Sequence, residues 1–229
     1  MSLRSCSALL IPLAILSISV AGAASAPSWT DTPTARLEAL ALIQTLNARI
    51  LSSSSATLTL ESWCREHALA EPAVIVAHRM DNAAEIPTDA PRRDLQVAAR
   101  EKVRYRRVAL TCGDHVLSIA ENWYVPSRLT APMNRLLETT QAPFGKVVQP
   151  LNPHRETTAV QLLWLPLPNG WELPHSPGTD ALHRGQPLEL PPGLFEHRAI
   201  LYTPAHQPIA EVNEVYQRDL LAFPEPHLP

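Results

Sequence analysis

The run Arg104 to Pro126, RYRRVALTCGDHVLSIAENWYVP, constrains the fold most, because it encodes two neighbouring strands and the turn between them. β-branched and aromatic residues predict strands at Arg104–Cys112 and Val116–Val125. Gly113-Asp114 places a glycine at the first central position, as a type II′ hairpin turn requires. Alternation puts Tyr105, Arg107, Ala109 and Thr111 on one face and Arg106, Val108, Leu110 and Cys112 on the other. Neither face is cleanly polar. Arg107, planted where the strand turns apolar, therefore has two readings. It reaches the sheet margin or a salt bridge, or it grips an anion, since a guanidinium keeps its charge and its bare burial is very costly.

The chain has 229 residues, enough for one sizeable domain with appendages. A hydrophobic fraction of 45% is that of a globular protein rather than a polytopic membrane protein. The net charge of −3 excludes a broad electrostatic grip on nucleic acid. The local basic cluster of Arg92, Arg93, Arg100, Lys102, Arg104, Arg106 and Arg107 reads as solvated loop and strand charge. No nucleic-acid partner is expected.

The amino terminus has the layout of a secretory signal peptide. Arg4 precedes the apolar run Leu9 to Leu16, and small residues follow from Ala21 to Ala26. Residues 1–26 are expected to form the leader, with cleavage near 23–26 and preferably after Ala23 or Ala24. The alternative is an uncleaved anchor, because no charge occurs from Ser5 to Trp29. Cleavage predicts a periplasmic or secreted protein with no stable membrane insertion. Residues 27–229 would then form one domain and, by default, a monomer. Cys64 and Cys112 remain after the leader is lost, and they are either disulfide-bonded or separate buried thiols. They lack CxxC spacing, and the nine histidines form no HExxH pair, so no metal centre is expected.

Thr32-Pro33 predicts a helix start, and Leu37, Leu40, Ile43, Leu46 and Ile50 mark one apolar face. A second helix is expected to open at Ser55 or Thr57, leaving backbone donors near Ala56 and Thr57 that serine and threonine side chains satisfy or a carboxylate binds. Further along, Ala73–Ala77 predicts a strand, 81–93 an exposed connection, Asn134–Thr140 a helical turn or two, and Val160–Leu165 a strand. Recurrent prolines make about 166–195 a surface excursion, with an Asn169-Gly170 turn. A closing hairpin is predicted at Arg198–Tyr202 and Ile209–Tyr216. In its last strand Ala210, Val212, Glu214 and Tyr216 share the more apolar face, so Glu214 is either a half-buried proton-exchanging group or an edge-strand carboxylate in water.

Three separated pieces together resemble the chorismate pyruvate-lyases: Ser55-Ala56-Thr57 before a helix, the Arg107 strand with Cys112 and Val125-Pro126, and Pro143-Phe144-Gly145. Glu214-Val215-Tyr216 after Gln207-Pro208 is a fourth piece, and the match spans about Leu37 to Tyr216. The resemblance implies an α+β fold in which an antiparallel sheet with helices packed on it encloses a ligand pocket. It implies conversion of chorismate to 4-hydroxybenzoate and pyruvate, a step toward ubiquinone, with no cofactor and no metal. By the same resemblance Arg107 would bind the ring carboxylate, with Ala56, Thr57 and Phe144 beside it, and Glu214 would meet the 4-hydroxyl and move the proton. The interval from Pro208 to Glu214 is one residue longer than the family's, so Asn213 is the alternative occupant of the acidic position.

Three functions follow as expectations. The first is a chorismate-lyase-like enzyme, and the second is an exported, non-catalytic binder of small aromatic carboxylates. The third is an envelope protein that engages a partner through the proline-rich excursion.

Overall fold

The computed structural model describes residues 29–80, 89–174 and 185–226. The leader, most of the 81–93 connection and the middle of the excursion lie outside the described residues. Among the described residues, five α-helices and six strands follow in the order α1 (Pro33–Leu51), α2 (Ala56–Glu66), β1 (Ile75–Arg79), α3 (Asp89–Asp94), β2 (Arg104–Cys112), β3 (His115–Tyr124), α4 (Ala131–Thr139), α5 (Phe144–Val148), β4 (His154–Leu162), β5 (Gly193–Tyr202) and β6 (Pro208–Gln217). The strands form one antiparallel sheet in the order β1-β2-β3-β6-β5-β4. The protein is therefore α+β, as the sequence predicts.

Local chemistry explains the elements. The Thr32 side chain accepts the Ala35 N–H at 3.0 Å, and Pro33 occupies the first turn of α1, where no amide donor is required. The buried face of α1 is Ala35, Ala39, Ile43, Leu46 and Ile50. Leu37, expected on that face, is exposed instead. Small alanines let the first two turns approach their neighbours closely. The fully buried Leu46 and Ile50 each contribute roughly 1.5–3 kcal/mol by leaving water. Ser55 caps α2 through the Leu58 N–H at 3.4 Å.

The β2–β3 hairpin turns at Gly113, whose φ of +55° is a left-handed value that favours glycine. An added Cβ there would also lie 2.8 Å from the Ala70 Cβ. One irregularity at Leu110/Thr111 shifts the register, so that Arg107 faces Glu121 and Val108 faces Ala120.

Two apolar clusters cover the same face of the sheet. One joins α1 and α2 to Val108, Leu110, Ala120, Phe195 and Tyr216. The other joins α4 and α5 to Tyr124, Ala199, Leu201, Ala210 and Val212. A disulfide between Cys64 and Cys112 ties α2 to β2 inside the first cluster and decides between the two thiol readings. Among the described residues, no helix is long and apolar enough to cross a membrane.

Candidate ligand-binding site

Between the two clusters the covered face of the sheet leaves a cavity of about 140 Å³. Its apolar lining is Val108, Leu110, Ala120, Phe144, Leu201 and Val212, joined by Ala56 and Leu58 of α2. Polar groups enter from Ser54, Ser55, Thr57, Asn122, Gln149, Asn152, Arg155 and Glu214. A cavity of this size is on the scale of a single six-membered ring.

The strands deliver these groups in rows. Val108, Ala120, Glu214 and His197 sit opposite one another across β2, β3, β6 and β5. From the edge strand, Arg155 donates through Nη2 to Glu214 Oε2 at 2.8 Å and through Nη1 to Thr157 Oγ1 at 2.8 Å. The two side chains are 3% and 8% exposed, so this pair is buried in the cavity wall. Tyr216 donates its hydroxyl to the same Glu214 oxygen at 3.1 Å. Burial, then the Glu214 carboxylate, pushes the Tyr216 phenol well above its usual range, so it remains a neutral donor. Behind the pair, His197 is fully buried, and its Nε2 meets Asn47 Oδ1 at 2.7 Å. Burial first, and the Arg155 guanidinium second, push that imidazole down to about 4. It is therefore neutral at pH 7 and donates from Nε2 to the amide oxygen.

The opposite wall is the first turn of α2 and the start of α5. With the Leu58 N–H taken by Ser55, the N–H groups of Ala56 and Thr57 have no intrahelical acceptor. Gly145 fits against them closely, since a Cβ there would lie 2.8 Å from Thr57 Oγ1 and 3.1 Å from Ser55 Oγ. Lys146 pairs with Glu61 and fastens α5 to α2. Burial raises the Glu61 carboxyl, but Lys146 and the Ile75 N–H outweigh it and hold it below its usual value.

The structure brings Ala56, Thr57, Phe144 and Glu214 to this cavity, and it corrects the expected position of Arg107. Arg107 lies on the opposite sheet face, with Nε 3.5 Å from Glu121 Oε1 and a side chain 30% exposed. Tyr105 donates to the same Glu121 oxygen at 2.9 Å. The cause is strand phase, because Val108 and Leu110 line the cavity and their alternate neighbour Arg107 must face away. Arg106 shares the cavity-side phase, but its Nη2 reaches the Ala142 carbonyl at 3.0 Å, toward the α4–α5 link. Asn213, the alternative to Glu214, also points to the far face.

The guanidinium that does reach the cavity, Arg155, lies ahead of the strand expected at Val160–Leu165. β4 begins at His154, six residues before the expected Val160. Its first residues, His154-Arg155-Glu156-Thr157, are polar on both faces, as suits a protected edge strand, so hydrophobic alternation gives no signal. Asn122, Gln149 and Asn152 are likewise absent from the expected site. Asn152 has a left-handed φ of +49°, a conformation that asparagine tolerates.

No family model matches the chain. It is 44% identical over 209 residues to the Sinorhizobium fredii (strain NBRC 101917 / NGR234) protein described as uncharacterized protein y4mC, covering 89% of this chain and 85% of that one. The chain belongs to the y4mC family. Solved structures similar to this chain include PhnF from Mycobacterium smegmatis, with TM-score 0.43, 12% identity and coverage of 74% of this chain and 66% of that one. Another is the ligand-binding domain of a GntR-family transcriptional regulator of Bordetella bronchiseptica, with TM-score 0.38, 17% identity and coverage of 63% and 83%. A third is the possible transcriptional regulator YydK from Bacillus subtilis, with TM-score 0.38 and 14% identity, of which this chain spans 59%.

Proposed function

We propose that this y4mC-family protein is an exported binder of a small, ring-sized organic acid that carries a second hydrogen-bonding group. The observation that carries this reading is the Arg155–Glu214 pair, buried in the wall of a ring-sized cavity that faces the first turn of α2. A buried ion pair is weak evidence for stability alone, because well-packed apolar residues serve a core equally well or better. In a cavity wall it supplies directed donors and acceptors to a ligand.

The two ends of the cavity suit two ligand groups. A carboxylate fits the Ala56 and Thr57 N–H groups, where free donors and the helix dipole act together. A hydroxyl or keto group fits the Arg155–Glu214 end, where it exchanges hydrogen bonds with a charged donor and a charged acceptor. The flat apolar walls of Val108, Ala120, Leu201 and Val212 take the ring between them. The Cys64–Cys112 disulfide supports export, since such bonds persist in oxidising compartments, and it agrees with the expected leader.

A lyase acting on chorismate is the second reading, favoured by one observation: Glu214 is a cavity-facing carboxylate. In that reading it moves the proton released as the enolpyruvyl group departs. With Arg107 on the far face, Arg155 is the guanidinium available to orient the substrate.

Calorimetric titration of the mature protein separates the readings. Saturable binding of 4-hydroxybenzoate, weaker binding of benzoate, and loss of the preference for the hydroxylated ring in Arg155→Ala supports the binder. Absence of binding by all ring carboxylates overturns it. Release of pyruvate from chorismate above the spontaneous rate, abolished in Glu214→Gln, establishes the lyase.

A further inference from the structure

We infer that His154, Glu156 and His206 form a binding site for a divalent transition-metal ion of the zinc class, outside the ligand cavity. The ligand atoms of these three side chains all lie within 4.8 Å of one another. The His154 Nε2 to Glu156 Oε1 distance is 3.2 Å. Zinc bonds of about 2.0–2.1 Å arranged tetrahedrally place neighbouring ligand atoms about 3.3 Å apart. One edge of the coordination polyhedron is therefore already present, and a rotamer adjustment at His206 closes the other two.

The placement follows from the strand period and a constrained turn. His154 and Glu156 are two apart on β4, so they share a face, while Arg155 between them points into the cavity. His206 comes from the β5–β6 turn, where its φ is +56°. The turn is fixed by the His206 N–H to the Thr203 carbonyl at 2.9 Å and the Thr203 N–H to the Gln207 carbonyl at 2.9 Å. The His154 ring stacks on Tyr202 at 5.3 Å and meets the His206 ring edge-on at 5.0 Å. The His154 imidazole is thus held before any ion arrives.

Two imidazoles and one carboxylate suit zinc, copper, nickel or iron rather than calcium or magnesium, which prefer all-oxygen sites. Three protein ligands also leave a coordination position for water. A bound ion ties the start of the edge strand β4 to the β5–β6 turn.

The test uses tag-free, chelator-washed mature protein titrated with zinc chloride, and with cobalt(II) as a spectroscopic stand-in. One equivalent is expected to bind, with a visible ligand-field band for cobalt of the kind a four-coordinate site gives. The unfolding midpoint is expected to rise by roughly 5–10 °C at a hundredfold excess of zinc over its dissociation constant. His206→Gly keeps the left-handed turn and removes one ligand, and Glu156→Gln removes the charge. Each is expected to weaken zinc binding roughly 100-fold while leaving the far-ultraviolet circular dichroism unchanged. Absence of stoichiometric binding, or zinc affinity unchanged in both variants, overturns the inference.

Discussion

Removing either member of the Arg155–Glu214 pair alone is expected to destabilise the protein strongly, whereas removing both together is expected to cost less. In Arg155→Met, Glu214 stays buried and keeps only the Tyr216 hydroxyl at 3.1 Å. In Glu214→Leu, Arg155 stays buried and keeps only Thr157 Oγ1 at 2.8 Å. Breaking a buried pair from one side costs about 3–5 kcal/mol, because the remaining charge is left without its counter-ion. The pair borders the cavity, which places each single substitution near the low end, about 3 kcal/mol. For a domain of this length that corresponds to a fall in midpoint of roughly 6–12 °C. The double variant Arg155→Met/Glu214→Leu carries no orphaned charge and leaves only the Tyr216 hydroxyl without its acceptor, so it is expected within about 2 kcal/mol of the parent. Urea denaturation of the four proteins at pH 7 gives the coupling energy directly. Singles that each cost under about 1 kcal/mol, as surface bridges do, would refute the reasoning. So would a double variant as unstable as the sum of the singles. Ligand binding read on the same proteins separates the two roles, since the double variant is expected to fold and yet fail to bind.

Three further outcomes follow from the same structure. Reducing the Cys64–Cys112 bond, which closes a separation of 48 residues, is expected to lower stability by about 4 kcal/mol on the chain-entropy account, and calorimetry with and without reductant reads it. A change under about 1 kcal/mol would show that the bond does not restrict the unfolded chain as that account requires. His197 titrates near 6.5 when unfolded and near about 4 when folded, so the unfolded chain binds the proton first as pH falls. Its contribution is fully present above pH 6.5 and is lost between there and about pH 4, roughly 3 kcal/mol in all; denaturation across that range should show a slope that His197→Gln flattens. Gly145→Ala forces a Cβ to within 2.8 Å of Thr57 Oγ1, so calorimetry should show at least tenfold weaker binding of 4-hydroxybenzoate, and unchanged affinity would remove α5 from the site.

The sequence conveyed the sheet better than the site. The β2–β3 hairpin was legible because its turn chemistry and strand propensities agree, and the face of β6 that holds Glu214 was legible because Ala210, Val212 and Tyr216 alternate with polar residues. Arg107 was ambiguous for a physical reason. Adjacent arginines at 106 and 107 give both faces of β2 a cation, so period alone cannot say which reaches a ligand. The irregularity at Leu110/Thr111 then sets Arg107 opposite Glu121, one residue away from the partner that counting from the turn gives, and no sequence pattern marks it. Arg155 was hidden because an edge strand needs few apolar residues, and the recurrent prolines around it mark interruptions of regular structure.

The most direct test of the central claim is a crystal structure of the mature protein with 4-hydroxybenzoate. The account predicts a ring between Val108 and Leu201, with one polar end within about 3 Å of the Ala56 and Thr57 amides and the other at Arg155 and Glu214. A ligand seated on the opposite sheet face beside Arg107 and Glu121 would contradict it, as would a cavity still empty at saturating concentration.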